Sequence, residues 1–348
     1  MPQIHDTSAP ERVQNVLALI TLIHGGAMTK ATCVAAELRI PDHLAGGASR
    51  IDELAQATGT HGPSLHRLMR ALASLGLCME RDDGGFELTA AGALLRADAP
   101  ESLRATAIWY GRHMWTTWGN LLHSVKTGES ARKLATGTEG FGHLAGDHEV
   151  SETFNHAMAE MTGIIAREVV ERYDFSGLRR IADIGGGHGA LLKTVLDAYP
   201  HMLGMLFDMP QAITEAKVRL EGTDAARRCE FIAGDFFKEV PGGANAYLLK
   251  AVIHDWNDEQ SVIILRNCRR VMSSDDRLLI VERVRPERIR ASWIDNAIAR
   301  ADLTMLIGPG GRERTRKEFS ALLSASGFRL TRIVTSALDY GVMEALPR

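Results

Sequence analysis

Residues 181–199 read IADIGGGHGALLKTVLDAY, and this stretch decides the fold. An apolar run ending in Asp183 predicts a strand. Gly185, Gly186 and Gly187 then predict a tight turn, and Leu191, Leu192, Val195 and Leu196 recur at helical spacing from about His188 onward. Glycines at such a turn let backbone approach a ligand where a Cβ would block it. The helix that follows offers N–H groups with no intrahelical partner. A strand, glycine turn and helix in this order open a parallel α/β sheet with its ligand at the carboxyl ends of the strands.

Two ligands suit the turn. Gly185, Gly187 and Ala190 satisfy the G-x-G-x-x-A dinucleotide pattern, and Asp208 follows at about the 20-residue distance of a ribose-binding acid. Asp183 separates the two readings. A carboxylate just before the first glycine repels a pyrophosphate but tolerates a sulfonium and an ammonium group. Charge therefore favours S-adenosylmethionine over a nicotinamide dinucleotide.

The chain has 348 residues, enough for two domains with full cores. Its 45% hydrophobic and 24% charged content and its net charge of −3 describe an ordinary globular protein without a nucleic-acid footprint. Cys33, Cys78, Cys229 and Cys268 are widely spaced and form no C-x-x-C, so they read as small buried hydrophobes in a reducing compartment. The N-terminal residues lack a signal-peptide pattern, and Val16 to Ile23 is too short to span a bilayer. A cytoplasmic location is expected.

Upstream of the glycine turn the chain reads as helical. Residues 12–45 give two segments apolar around much of their circumference, which need cover from a second copy of the chain or from the C-terminal domain. Residues 49–97 read as a winged helix: Ser49 with Asp52 as a cap, two helices, and a hairpin turning at Gly84–Gly85. Such a module can enter a major groove, but Glu80, Asp82 and Asp83 at the hairpin tip would repel phosphates, so dimerisation is the expected role. From 101 to 176 aromatics and methionines accumulate, among them Met114, Phe141, Phe154, Met158 and Met161. Most such residues pack a core, yet Phe154, Met158 and Met161 share one helix face suited to a flat aromatic ligand. The expected divisions are 1–100, 101–176 and 177–348.

Downstream, strands are expected at 180–184, 203–208, 229–233, 246–250 and 277–283, with a final hairpin over 328–345. Their carboxyl ends carry Asp183, Asp208, Asp235, Lys250 with nearby His254, and Glu282. Asp208 suits ribose hydroxyls, or caps the helix after Pro210. Asp235 suits an adenine amino group with Phe236 against the ring, or simply makes a turn. Lys250 ends an apolar strand, where an unpaired ammonium is costly. His254 can take a proton from a phenol, whose pKa is about 10, if a carboxylate fixes its tautomer. Glu282 and Glu313 are the candidates for that carboxylate.

These motifs resemble the plant-type small-molecule O-methyltransferases, the caffeate and flavonoid enzymes and their bacterial relatives in natural-product biosynthesis. The matching segments are DIGGGHG (183–189), FDMP (207–210), GDFF (234–237), LLKAVIHDWNDE (248–259), LRNCRR (265–270), LLIVE (278–282) and GGRERTRKEF (310–319). The resemblance implies a Rossmann-like S-adenosylmethionine-dependent methyltransferase domain behind an N-terminal helical, winged-helix-like dimerisation domain, in a homodimer. It implies that His254 is the general base, with Asp255 beside it and Glu282 and Glu313 flanking the imidazole, and that no metal is needed. Cofactor contacts would come from Asp183, Gly185, Gly187, Asp208, Asp235, Phe236, Lys250 and Trp256. Acceptor contacts would come from Met114, Phe141, Phe154, Met158, Met161 and Met305. The loop LTMLIGP before GGRERT lacks the asparagine of plant members, which argues against their hydroxycinnamate specificity. Two rival expectations follow: a relative that uses the methyl donor structurally for decarboxylation or hydroxylation, and a winged-helix regulator.

Overall fold

The computed structural model describes residues 10–138, 142–144 and 146–348. The chain forms two compact units, Met1–Thr116 with Asp147–Met161, and Thr117–Gly146 with Thr162–Arg348. The stretch 101–176 is therefore divided between them.

In the first unit, helices Gly25–Glu37, Ile40–Ala45, Ile51–Thr58 and Gly62–Ser74 lead into an antiparallel hairpin of β1 (Cys78–Glu80) and β2 (Phe86–Leu88). Ala35, Ile40, Leu54, Leu65, Met69, Leu72, Cys78 and Phe86 form its core. The cap differs from the Ser49–Asp52 expectation. The helix starts at Ile51, so Glu53 is its third residue, and its carboxylate accepts from the N–H groups of Ser49 (2.9 Å) and Arg50 (3.0 Å). The apolar helix Glu11–Ile23 buries no residue within the single chain, leaving Val16, Leu17, Leu19, Ile20, Leu22 and Ile23 exposed. No single described helix is long and apolar enough to cross a membrane; Glu11–Ile23 and Gly25–Glu37 reach that length only together, across a 46° bend.

The second unit is built on an eight-stranded sheet. β3 (Arg180–Ile184), β4 (Leu203–Asp208), β5 (Cys229–Ala233), β6 (Ala246–Lys250) and β7 (Arg277–Arg285) run parallel in the order β5-β4-β3-β6-β7. The short β8 (Arg314–Thr315) pairs with β7, and the hairpin of β9 (Phe328–Thr335) and β10 (Tyr340–Pro347) adds antiparallel to β7. Parallel strands buried on both faces are apolar throughout rather than alternating. Ile181, Leu248, Leu279 and Val281 pack on one face, and Ala182, Ile184, Tyr247, Leu249 and Ile280 on the other. The helix Ala190–Ala198 lies on the first face through Leu191, Leu192, Val195 and Leu196. In β3, β4 and β6 the charged side chains Asp183, Asp208 and Lys250 lie at or next to the carboxyl end.

Truncating Leu248, fully buried on β6, to alanine should cost about 2–5 kcal/mol of stability in denaturant unfolding. A loss below about 1 kcal/mol would mean that β6 is not close-packed.

Candidate active site

β3 delivers Asp183 to the underside of the glycine turn. Its register neighbours are Leu206 and Leu248, and a Cβ on Gly186 would sit 2.6 Å from its Oδ2. Neither carboxylate oxygen completes a hydrogen bond. Burial, then the neighbouring Asp208, pushes its pKa up to about 7; Lys250 and a weak approach of the Leu192 N–H only partly oppose this. Gly185 and Gly187 both have φ in the left-handed region, +70° and +56°. A Cβ on Gly185 would press on Val252 (2.9 Å) and Phe236 (3.4 Å), whereas one on Gly187 would meet open space.

Asp208 ties the end of β4 to this turn. Its Oδ2 accepts from Gly187 N–H at 2.7 Å and its Oδ1 from Met209 N–H at 2.6 Å. It therefore braces the glycine loop as well as ending a strand, and burial raises its pKa. Asp235 accepts from Phe237 N–H at 2.9 Å. Phe236, Phe237 and Trp256 form an edge-to-face aromatic cluster with centroid separations of 4.8–6.1 Å. Lys250 Nζ donates to Thr162 Oγ1 at 2.9 Å. Burial and the Arg283 charge lower Lys250 to about 8, against the pull of Asp183, Asp255 and Glu282.

His254 lies in a short helical turn after β6 and is only 6% exposed. The two glutamates named in the sequence do different jobs. Glu313 Oε1 is 3.1 Å from His254 Nδ1 and fixes the ring. Glu282 does not touch the ring: its Oε1 accepts from the N–H groups of Val252 (3.1 Å), Ile253 (2.6 Å) and His254 (3.2 Å). Asp255 Oδ1 stands 3.7 Å from Nε2, an ion pair rather than a hydrogen bond. Burial alone would lower the imidazole, but Glu313, Asp255 and Glu282 outweigh it and hold His254 at about 9. Burial also raises Glu282 to about 7, opposed by the His254 charge.

Three supporting residues escaped the sequence reading. Arg314, fully buried, donates to Ile253 O (2.9 Å) and Trp256 O (2.8 Å) on either side of His254, and to Asp258. Asp302 Oδ1 accepts from Glu313 N–H at 2.8 Å. Gly311 lies so close to the loop that a Cβ would stand 1.9 Å from His254 O. The motif GGRERT was itself the available signal, because a glycine pair next to an acid and an arginine marks close backbone approach.

An O-methyltransferase domain model matches residues 118–329, and an O-methyltransferase dimerisation domain model matches residues 20–98. The chain belongs to the O-methyltransferase family. Phenazine O-methyltransferase PhzM of Lysobacter antibioticus is 41% identical over 332 residues, spanning 94% of this chain and 95% of its own. The mitomycin biosynthesis 6-O-methyltransferase of Streptomyces lavendulae is 40% identical over 321 residues, 89% of this chain and 88% of its own. The solved structure of NcsB1, an O-methyltransferase from neocarzinostatin biosynthesis in complex with S-adenosylmethionine and 2-hydroxy-5-methyl naphthoic acid, matches with a TM-score of 0.76 at 31% identity. That match covers 92% of this chain and 96% of NcsB1. The resemblance read from the motifs is thus correct, and the relatives are bacterial natural-product O-methyltransferases.

The remaining residues named for this O-methyltransferase fall as follows. Met305 is partly buried in the helix Trp293–Ile307 of the second unit. In the first unit Met114 is buried, and Phe154, Met158 and Met161 are half-buried on the helix His148–Arg172. Phe154 meets Trp109 edge-on at 5.0 Å. Phe141 lies outside the described residues.

Asp183 generates a pH prediction. Its folded pKa of about 7 lies above its unfolded value, so the folded state holds an extra proton between them and loses stability as pH rises from about 4 through 7. Asp183→Asn removes that term. The variant should gain on wild type by up to roughly 3–4 kcal/mol between pH 4 and 8 in ligand-free unfolding. A constant difference across that range would contradict the buried, unpartnered carboxyl.

Proposed function

We propose that this O-methyltransferase moves the methyl group of S-adenosylmethionine to a hydroxyl of an aromatic small molecule, with His254 taking the proton. The observation that carries this reading is the buried His254–Glu313 pair at 3.1 Å, which occupies Nδ1 and leaves Nε2 to exchange a proton with the acceptor.

The glycine turn fits the methyl donor. An acid without a hydrogen-bond partner lies under it, Asp208 ends the neighbouring strand β4, Asp235 follows β5, and aromatic rings flank it. That is a donor set for a cationic ligand bearing ribose hydroxyls and a purine, and a poor one for a pyrophosphate. Asp183, Gly185, Gly187, Asp208, Asp235, Phe236, Lys250 and Trp256 are the residues that would hold it. When bound, S-adenosylmethionine supplies an electrophilic methyl on a sulfonium and leaves as S-adenosylhomocysteine.

His254 accepts the hydroxyl proton as the acceptor oxygen gains its methyl bond. Glu313 then carries the other face of the imidazolium, and Glu282 and Arg314 keep the loop from shifting. These are positioning residues, as is Asp255, and each acts through His254. The family resemblance assigns Phe154, Met158, Met161, Met114 and Met305 to acceptor contacts, and their apolar and thioether side chains suit a fused-ring or phenolic acceptor such as the naphthoic acid bound by NcsB1. A homodimer is supported by the dimerisation-domain match and by the uncovered helix Glu11–Ile23. A DNA-binding role is disfavoured by the wing, where Glu80 pairs with Arg70 (3.2 Å) and lies 3.7 Å from His66 on the helix that would enter the groove. A cytoplasmic site of action suits a protein whose four cysteines are free.

Labelled S-adenosylmethionine incubated with phenolic, phenazine and naphthoate acceptors tests the reaction. Labelled ether product is expected, and donor binding without transfer to any of these classes would overturn the acceptor assignment. His254→Ala should cut turnover roughly 10²–10⁴-fold with donor affinity nearly intact; unchanged turnover would remove His254 from the chemistry. Because His254 is held at about 9 in the ligand-free enzyme, kcat/KM should climb with pH toward that value. Glu313→Gln should move that limb to lower pH, and a limb that stays in place would sever the pair. Asp208→Ala should weaken donor binding in calorimetry, and unaltered affinity would contradict its assignment.

A further inference from the structure

Arg283 is absorbed by neither the fold nor the mechanism above. It follows Glu282 on β7 and stands opposite Tyr340 in the β7–β10 register. Its side chain is 13% exposed, a depth at which a guanidinium needs partners. Two come from the start of the C-terminal hairpin's second strand. Nε donates to Asp339 Oδ2 at 2.5 Å, Nη1 donates to the Tyr340 hydroxyl at 2.8 Å, and the guanidinium stacks 4.3 Å above the Tyr340 ring. The third partner is Glu313. Arg283 Nη1 lies 3.6 Å from Oε1, the same oxygen that meets His254 Nδ1 at 3.1 Å.

Asp339, Arg283, Glu313 and His254 therefore form a chain of alternating charge from the hairpin to the imidazole. Within it, one carboxylate oxygen serves two cations. We propose that Arg283 is a positioning residue for methyl transfer: held by Asp339 and Tyr340, it shares Glu313 with His254 and weakens the hold of His254 on its proton. This rests on the reading of His254 as the base.

The physical argument is competition. Glu313 alone, buried against His254, would bind the imidazolium more firmly than it does with Arg283 beside it. A second fixed cation on the same oxygen draws off part of that field and repels the imidazolium directly. The other charges facing His254 come from Asp255 beside it, Glu282 on β7 and, through Asp255, Lys250 on β6 and Arg132 on the helix Ala131–Thr136. Of these, Lys250 is also lowered by Arg283, which places the guanidinium field inside the site. An arginine suits the position because stacking on Tyr340 and separate hydrogen bonds from Nε to Asp339 and from Nη1 to the Tyr340 hydroxyl fix its plane, which a lysine cannot do.

The test measures kcat/KM against pH on the full-length enzyme with S-adenosylmethionine and an accepted aromatic acceptor. Arg283→Gln should move the midpoint of the acid limb up by about 0.5–1 pH unit, and Arg283→Lys, which restores the charge, should recover at least half of that shift. A limb that stays in place, or moves down, overturns the proposal. Should Arg283→Gln fold poorly because Asp339 is left unpaired, the double variant Arg283→Gln with Asp339→Asn removes both charges. Titration of the His254 imidazole by NMR in that ligand-free protein should show the same upward shift, and no shift overturns the proposal. His254→Gln, run alongside, separates the two levels. If it keeps wild-type turnover, the base assignment itself fails. If it abolishes turnover while Arg283→Gln leaves the limb unmoved, only the role of Arg283 falls.

Discussion

The loop that carries His254 depends on one buried carboxylate oxygen. Glu282 Oε1 gathers the N–H groups of Val252, Ile253 and His254 in succession, which turns the chain sharply at the end of β6. The turn begins at Ala251, whose φ of +52° is a left-handed conformation that a non-glycine residue adopts at a cost of order 1 kcal/mol. That cost is met because Glu282 comes from the adjacent strand β7 and is itself fully buried. Remove the acceptor and three donors lose their partner in an apolar interior. The sheet therefore determines the position of His254: strand register sets Glu282, Glu282 sets the loop, and the loop sets the imidazole.

Arg314 closes the same loop from the opposite side. Its guanidinium holds Ile253 O and Trp256 O while Glu282 holds the N–H groups of Val252, Ile253 and His254. Donors and acceptors of one short segment are thus satisfied by two buried ions of opposite sign. Gly311 lets the GGRERT segment approach until Arg312 N–H donates to His254 O at 2.8 Å. The same approach brings Glu313 to the imidazole, so the glycine is required by geometry rather than by flexibility. A polar constellation of this depth is stable only when nearly every group has a partner. The exceptions, Oε2 of Glu282 and of Glu313 and both oxygens of Asp183, fall on residues assigned to the site.

What the sequence disclosed and what it withheld follow from the range of the interactions. The parallel strands were legible because burial on both faces makes them apolar, so that Asp183, Asp208 and Lys250 stand out at their ends. The glycine turn was legible because few residues other than glycine accept its dihedral angles. The division of labour between Glu282 and Glu313 was not legible, since either acid could reach the ring until the direction of each side chain was known. Arg283 and Arg314 stayed hidden for a related reason. An arginine in VERVR or GGRERT reads as surface charge, and only contacts across 56 to 61 residues show it to be interior. The helix Glu11–Ile23 is the opposite case: its apolar pattern was plain, but a single chain leaves it uncovered.

The charges of the second unit also explain why its ligand preference cannot be read from one residue. Asp183, taken alone, argues from a full negative charge, but burial keeps it near half-protonated at neutral pH. Lys250 is lowered to about 8 by burial and by Arg283. The two shifts are linked, because each group in its charged form stabilises the charge of the other. A cationic ligand entering beside Asp183 would favour its ionised form and at the same time disfavour charged Lys250. In the proposed site, disfavour of a pyrophosphate would come from the whole set, Asp183, Asp208 and Asp235 against one lysine that burial lowers. It does not rest on the glycine pattern, which a dinucleotide-binding turn would share.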